Sequence, residues 1–80
     1  MPRFFFNVRS VIRSANDLEG ESFSNLAVAR AEAVLAAREI MKELVSRGTH
    51  PDGFTIEIAD DRGTILDVVN FTETLTRESA

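Results

Sequence analysis

The sequence predicts an α+β fold in which one amphipathic helix packs on one face of a four-stranded antiparallel sheet. Three observations support it: alternating apolar residues near the N-terminus, one long helical pattern, and two apolar runs joined by an acidic turn near the C-terminus. The predicted order is strand, strand, helix, strand, strand (ββαββ). A helix with one apolar stripe has to bury that stripe against another layer, and a sheet provides the layer.

The first two strands are expected at the N-terminus. Phe4, Phe6 and Val8 alternate with other side chains, which is the period of a strand with one buried face. The same alternation turns Phe5 away from the helix. A short partner strand is expected over residues 11–14, and the stretch SANDLEGES that follows is interpreted as a solvated, acidic loop.

A long helix is predicted from Leu26 to about Arg47. Ser24 or Asn25 can supply the N-cap oxygen, and Gly48 can end the helix. At about 100° per residue, the residues that share one apolar stripe are Leu26, Ala29, Ala33, Ala36, Ala37, Ile40 and Leu44. The alanines in the middle of this stripe allow the helix to approach the sheet closely.

A second, smaller apolar set lies on the opposite side of the predicted helix. It consists of Val28, Ala31 and Leu35. Scattered apolar residues are normal on protein surfaces, so these positions can be ordinary surface. The alternative interpretation is a contact with a second subunit.

Residues 57–67, EIADDRGTILD, place four carboxylates between two apolar runs. The sequence of residues 60–63 suits a type I turn in which Gly63 takes the left-handed conformation and itself forms a bulge. Acidic residues favour such turns because they hydrogen-bond their own backbone. Counting back from this turn predicts a register that pairs Ile58 with Leu66, Ile56 with Val68 and Phe54 with Asn70.

This register has a consequence for charge, because it places Glu57 directly opposite Asp67. Like charges across a strand pair are destabilising unless they are neutralised. Arg9 or Arg3 could neutralise them, or the pair could be solvated. A metal ion is a weaker alternative, since two carboxylates are too few ligands for a hard cation. Arg9, Glu57 and Asp67 are therefore a candidate charge cluster without a metal.

Composition argues against several functions. The chain has no cysteine, so disulfides, thiolate metal sites and cysteine nucleophiles are excluded. The single histidine, His50, lies in a turn without the partners that a general base needs. We find no glycine-rich phosphate loop, and a net charge of −4 disfavours nucleic acid. We therefore expect no catalytic residue, no cofactor, no metal and no small-molecule substrate.

The N-terminal apolar run is too short for a signal peptide or a membrane span. The chain is accordingly expected to act in the cytoplasm, away from membranes. We expect one domain over residues 1–72 and a polar, fraying tail over residues 73–80.

Five segments together resemble a known family: MPRFFFNV, DLEGE, NLAVARAEAVLAARE, DGFTIEIADDRGTIL and VNF. The sequence is similar to short uncharacterised proteins common in rhizobia and related α-proteobacteria. The ARAEA-type helix, and the aspartate–glycine turn with a strand ending in phenylalanine, are the most specific parts. This chain departs at Ser24, where the family often has proline. The family is a domain of unknown function, so the resemblance implies a bacterial cytoplasmic protein and transfers no functional residue.

The leading hypothesis is a non-enzymatic protein-interaction module that forms a homodimer or binds another protein. A single helix leaves one sheet face uncovered, and an exposed apolar patch marks a partner site. The residues predicted for this surface are Phe5, Ile65, Val69 and Phe71 on the sheet, with Val28 and Leu35 on the helix. The alternative is a small regulatory or nucleic-acid-binding, antitoxin-like domain, supported by Arg3, Arg9 and Arg13.

Overall fold

The computed structural model describes residues 1–73, which form one long helix packed on one sheet. The elements are β1 (Arg3–Arg9), β2 (Ser14–Ala15), β3 (Glu21–Ser22), α1 (Leu26–Ser46), β4 (Thr55–Ala59) and β5 (Ile65–Asn70). Residues 71–73 are helical. The α+β class is confirmed, but the sheet has five strands rather than four. Most of the predicted tail, residues 74–80, lies outside the described residues.

All strand pairs are antiparallel, and the main path through the sheet is β2-β1-β4-β5. The fifth strand, β3, also pairs with β1. β2 lies beside residues 8–9 of β1 and β3 beside residues 3–4, so these two-residue strands share the edge of β1 that β4 leaves open. The middle of that edge, residues 5–7, has no strand partner there.

The partner strand predicted over residues 11–14 is present, but it lies at Ser14–Ala15. Ser10 N–H donates to the Arg13 carbonyl (2.8 Å), and the Ser10 hydroxyl oxygen accepts from Arg13 N–H (3.0 Å). These bonds close a turn whose tip carries Val11 and Ile12, 99% and 73% exposed. Serine side chains stabilise turns in this way, and strand pairing begins only at Ser14.

The helix begins and ends as predicted. Asn25 is the N-cap, and its Oδ1 accepts from Val28 N–H (2.9 Å). At the other end Thr49 N–H donates to the Leu44 carbonyl (2.8 Å), and Gly48 takes a φ of +80°. This is a Schellman motif, which satisfies carbonyls that the helix leaves unpaired.

The core lies between the helix and the sheet. Ala29, Ala33 and Ala37 of the predicted stripe are fully buried, and Met41, outside the stripe, is buried too. Two aromatic pairs extend the core, with ring centroids 5.8 Å apart for Phe6–Phe23 and 5.7 Å apart for Phe54–Phe71. The buried residues that form this cluster are Phe4, Phe23, Ala29, Ala33, Ala37, Met41, Phe54, Ile56, Ile58, Val69 and Phe71.

The hairpin turn matches the prediction, but the register beyond it does not. Gly63 has a φ of +83°, and Asp60 N–H donates to the Thr64 carbonyl (2.9 Å). Ala59 then pairs with Ile65, after which the register shifts at Leu66. The observed pairs beyond the shift are Ile58 with Asp67, Glu57 with Val68, Ile56 with Val69 and Thr55 with Asn70.

A bulge adds one residue to a single strand, and side chains alternate between faces, so every later residue of β5 changes face. Leu66 and Val68 therefore lie at the surface, whereas Val69 and Phe71, predicted for the uncovered face, are 1% and 0% exposed. Their assignment to the surface is wrong.

Candidate interaction surfaces

The structure divides the predicted charge cluster between the two faces of the sheet. Arg9 Nε lies 3.2 Å from Glu57 Oε1 on the open face, the face turned away from the helix. Asp67 is paired with Ile58 and reaches Arg30 of the helix, whose Nη1 is 2.9 Å from Asp67 Oδ2. The prediction that Glu57 faces Asp67 is therefore wrong, because the bulge turns Asp67 to the helix side.

The acidic loop before the helix is bound to β1 rather than simply solvated. Asp17 Oδ2 accepts from Phe6 N–H (3.1 Å), and Asp17 Oδ1 accepts from Gly20 N–H (3.0 Å). Asn7 Oδ1 accepts from Asp17 N–H (2.9 Å). The carboxylate thus takes the place of a neighbouring strand where β2 and β3 leave the middle of β1 unpaired. The Asp17–Asn7 relationship is long-range and left no signal in the local sequence pattern.

These contacts act on the ionisation of Asp17. Burial raises the pKa of this carboxyl, but hydrogen bonds from the backbone N–H groups of Gly20, Phe6 and Glu19, together with the charge of Arg3, outweigh that effect. The pKa therefore lies below the ordinary value of 3.8. A carboxylate that accepts several N–H bonds is stabilised in its charged form.

We expect Asp17→Asn to lower the free energy of unfolding by about 1–3 kcal/mol, because an amide group cannot accept hydrogen bonds through both of its atoms. Because the folded pKa is depressed, the stabilisation is present above pH 3.8 and is lost as pH falls through the folded value. Urea titrations from pH 6 to about pH 2.5 should show a smaller acid loss in the variant. Parallel pH profiles would contradict this role of Asp17.

The open face does not form the continuous apolar patch that was predicted. Phe5 lies there half-buried against Gly20, whose position leaves no room for a side chain beside the Phe5 ring. The Arg9–Glu57 pair occupies the middle of the face, and Ile65 is exposed at its far side. A polar cleft of about 370 Å³ lies beside Phe5, and its lining includes Asn7, Asn16, Asp17, Asp60 and Asp61.

The outer side of the helix carries exposed apolar side chains. Val28 and Leu35, 41% and 51% exposed, are seven residues apart and so lie on one side of the helix, whereas Val45, 59% exposed, lies about 80° further around it. A groove of about 750 Å³ adjoins Leu35 and Val45, with Met41 and Pro51 among its lining residues. The outer helix surface, as we call it, consists of Val28, Leu35, Arg38, Met41, Lys42, Val45 and Pro51.

Two residues of this surface, Val28 and Leu35, were predicted from the sequence, and the others were not. Val45 is ten residues from Leu35, a rotation of about 280° that takes it off the side of the helix that Val28 and Leu35 share. The contribution of Pro51 could not have been found, since it depends on how the loop after the helix folds back.

Two further observations concern residues 1–73. They contain no helix that is long and apolar enough to cross a membrane. In the same residues, no group of three or more histidine and carboxylate side chains is placed to hold a metal ion.

The fold and these surfaces define a small α+β domain with one helix on an antiparallel sheet. Comparison with family profiles shows that the chain belongs to the domain-of-unknown-function family DUF6894, which matches residues 3–72. Comparison with curated proteins and with solved structures gave no match. The predicted membership in a domain of unknown function is confirmed, whereas the distribution among rhizobia stays a prediction.

Proposed function

We propose that this domain is a protein-interaction module that self-associates through the outer helix surface. The observation that carries the proposal is the set of three exposed apolar side chains, Val28, Leu35 and Val45, the last two of which line an open groove. Contiguous exposed apolar surface costs free energy in water, and a partner that covers it recovers that free energy. The sheet supplies the rigid support on which this surface is held.

A second copy of the chain suits this surface because its charges are balanced. Charged residues of both signs flank the exposed apolar side chains. They are the carboxylates Glu32 and Glu39 and the cations Arg38 and Lys42. A twofold contact sets the same patch against itself, so it needs both signs within one patch. A patch of a single sign would repel its own copy and would suit a partner of opposite charge instead.

The groove supports the same arrangement. Its volume of about 750 Å³ is sufficient for apolar side chains of a second copy, and buried Met41 contributes to its wall. Leu35 and Val45 also line the groove, so one partner can cover these exposed apolar side chains and the groove together. Burial of apolar side chains in a pocket is where interface energy usually concentrates.

Light scattering coupled to size-exclusion chromatography tests this proposal. We expect the native chain at high micromolar concentration to show twice the mass of one chain, and Leu35→Glu to show the mass of one chain. Burying an unpaired carboxylate in an interface is costly, which is the reason for the expected loss. Val11→Glu is the matched control, because Val11 is fully exposed in the turn between β1 and β2 and is not part of the outer helix surface, and it should leave the dimer intact.

A native chain that stays monomeric at that concentration would contradict self-association. A native dimer that Leu35→Glu does not disrupt would move the interface away from the outer helix surface. Circular dichroism of each variant separates loss of association from loss of folding.

Nucleic-acid binding gains no support from the three arginines that suggested it. Arg3 Nε donates to the Glu19 carbonyl (2.7 Å), and Arg9 pairs with Glu57. Two of the three guanidinium groups are therefore engaged within the domain, and the chain is acidic overall. A phosphate backbone requires a basic surface, so we do not favour this function.

We also propose a non-enzymatic role in the bacterial cytoplasm. The histidine lies 3.3 Å from a carboxylate, His50 Nδ1 to Asp52 Oδ2, but both side chains are largely exposed. Catalytic acid–base pairs usually lie in clefts, whereas this pair lies at the exposed surface. The location is inferred from the cysteine-free composition and from the family resemblance.

A further inference from the structure

The outermost strand on one side of the sheet, β5, pairs with β4 alone among the described strands. Its exposed apolar residues are Ile65, Leu66 and Val68, at 52%, 40% and 44%. An edge strand presents outward N–H and C=O groups that can pair with another chain, and apolar side chains strengthen such pairing. A six-residue strand of this composition needs protection to remain unpaired.

Two side chains form hydrogen bonds with the backbone groups that point outward from the middle of this edge. Val68 N–H donates to Asp67 Oδ1 (2.8 Å), and the Val68 carbonyl accepts from Arg30 Nη1 (3.3 Å). The same Arg30 nitrogen lies 2.9 Å from Asp67 Oδ2, which holds the two side chains together. Both groups through which Val68 could bind a neighbouring strand are thus already bonded within the chain.

The bulge at Leu66 adds to this protection. It interrupts the regular spacing of hydrogen-bonding groups along β5, so an incoming strand cannot follow the whole edge. It also turns Asp67 toward the helix, where Arg30 can reach it. The bulge and the ion pair are therefore parts of one arrangement.

We propose that Arg30 and Asp67 form a latch that closes the β5 edge against a second copy of this chain. When the latch is removed, β5 becomes a strand-pairing site for the β5 of another copy. An antiparallel, twofold pairing centred on Val68 lets the two Val68 residues exchange both of their backbone hydrogen bonds. This site lies on the sheet edge and does not depend on the outer helix surface.

The test compares two triple variants, both of which carry Leu35→Glu so that helix-mediated association is removed. The first, Arg30→Ala with Asp67→Thr, deletes the latch without changing the net charge. The control, Arg47→Ala with Glu43→Thr, deletes an exposed ion pair of the same kind (3.0 Å) on the helix, again without changing the net charge. We expect the latch variant to double in mass, or to grow further, with rising concentration, while the control stays monomeric.

A third variant separates edge pairing from aggregation through unfolding. Adding Val68→Pro to the latch variant removes the outward N–H, and proline is tolerated on edge strands. We expect this addition to restore the monomer with the circular dichroism spectrum of the folded domain. A latch variant that remains as monomeric as the control overturns the proposal, and so does association that persists with Pro at position 68.

Discussion

Replacing Phe71 by alanine is expected to lower the free energy of unfolding by about 3–5 kcal/mol. Phe71 is fully buried, its ring stacks on Phe54, and its N–H donates to the Phe54 carbonyl (3.1 Å). Removing the ring leaves a cavity between the end of the sheet and the helix. Small domains have total stabilities of about 5–15 kcal/mol, so this variant should be close to unfolding at room temperature. Urea titration followed by circular dichroism measures the loss.

Ile65→Ala is the matched control, because Ile65 lies on β5, the strand that leads into Phe71, but is half exposed. Ile65→Ala should lower the free energy of unfolding much less than Phe71→Ala does. The comparison also distinguishes the observed register from the predicted one. If Phe71 lay on the open face, Phe71→Ala would leave stability near that of the native protein and would affect association alone.

Gly20→Ala is expected to lower the free energy of unfolding by about 2–5 kcal/mol, because alanine is strained in a left-handed backbone conformation and its Cβ atom would be overpacked. Gly20 has a φ of +69°, and a Cβ atom there would lie 2.7 Å from Phe5 Cε2 and 2.8 Å from the Phe4 carbonyl oxygen. The backbone oxygen cannot move without disturbing β1. The loop held by Asp17 should therefore be displaced from the sheet, and thermal unfolding measures the loss.

The control for this variant is Gly53→Ala. Gly53 has a φ of +82°, but nothing lies within 4 Å of the Cβ position. Only the conformational cost applies there, about 1–2 kcal/mol. Equal losses in the two variants would mean that the contact with Phe5 and Phe4 does not restrict position 20.

The elements whose causes are local could be predicted from the residues that form them. The Asn25 cap, the Gly48 terminus and the Gly63 turn each depend on residues within about one turn of chain, so their residue types predict them. The alanine stripe predicted which side of the helix is buried, because helical periodicity converts sequence spacing directly into a surface. The antiparallel α+β class followed from the order of these elements.

Long-range packing, rather than local pattern, selects which residues of β5 enter the core. The residues ILDVV offer apolar side chains to either face, so a bulge that moves Val69 inward and Leu66 outward costs little in local terms. Packing of Val69 and Phe71 beneath the helix, and the Arg30–Asp67 pair, favour the shifted register. These contacts join residues more than thirty positions apart, or depend on where the helix lies on the sheet. The local sequence pattern therefore does not indicate them.

The candidate sites divide in the same way, into residues that local pattern predicts and residues that long-range packing brings together. Val28 and Leu35 could be predicted because helical spacing identifies an outer side, whereas the groove beside Pro51 required the folded loop. Asp17 binds Phe6 because two short strands leave the middle of β1 unpaired, and a buried N–H group must find an acceptor wherever the fold supplies one. Sequence determined the elements and their buried sides; the assembled sheet decided the strand register and the long-range polar contacts, because a shift of one residue reverses every side chain at little local cost.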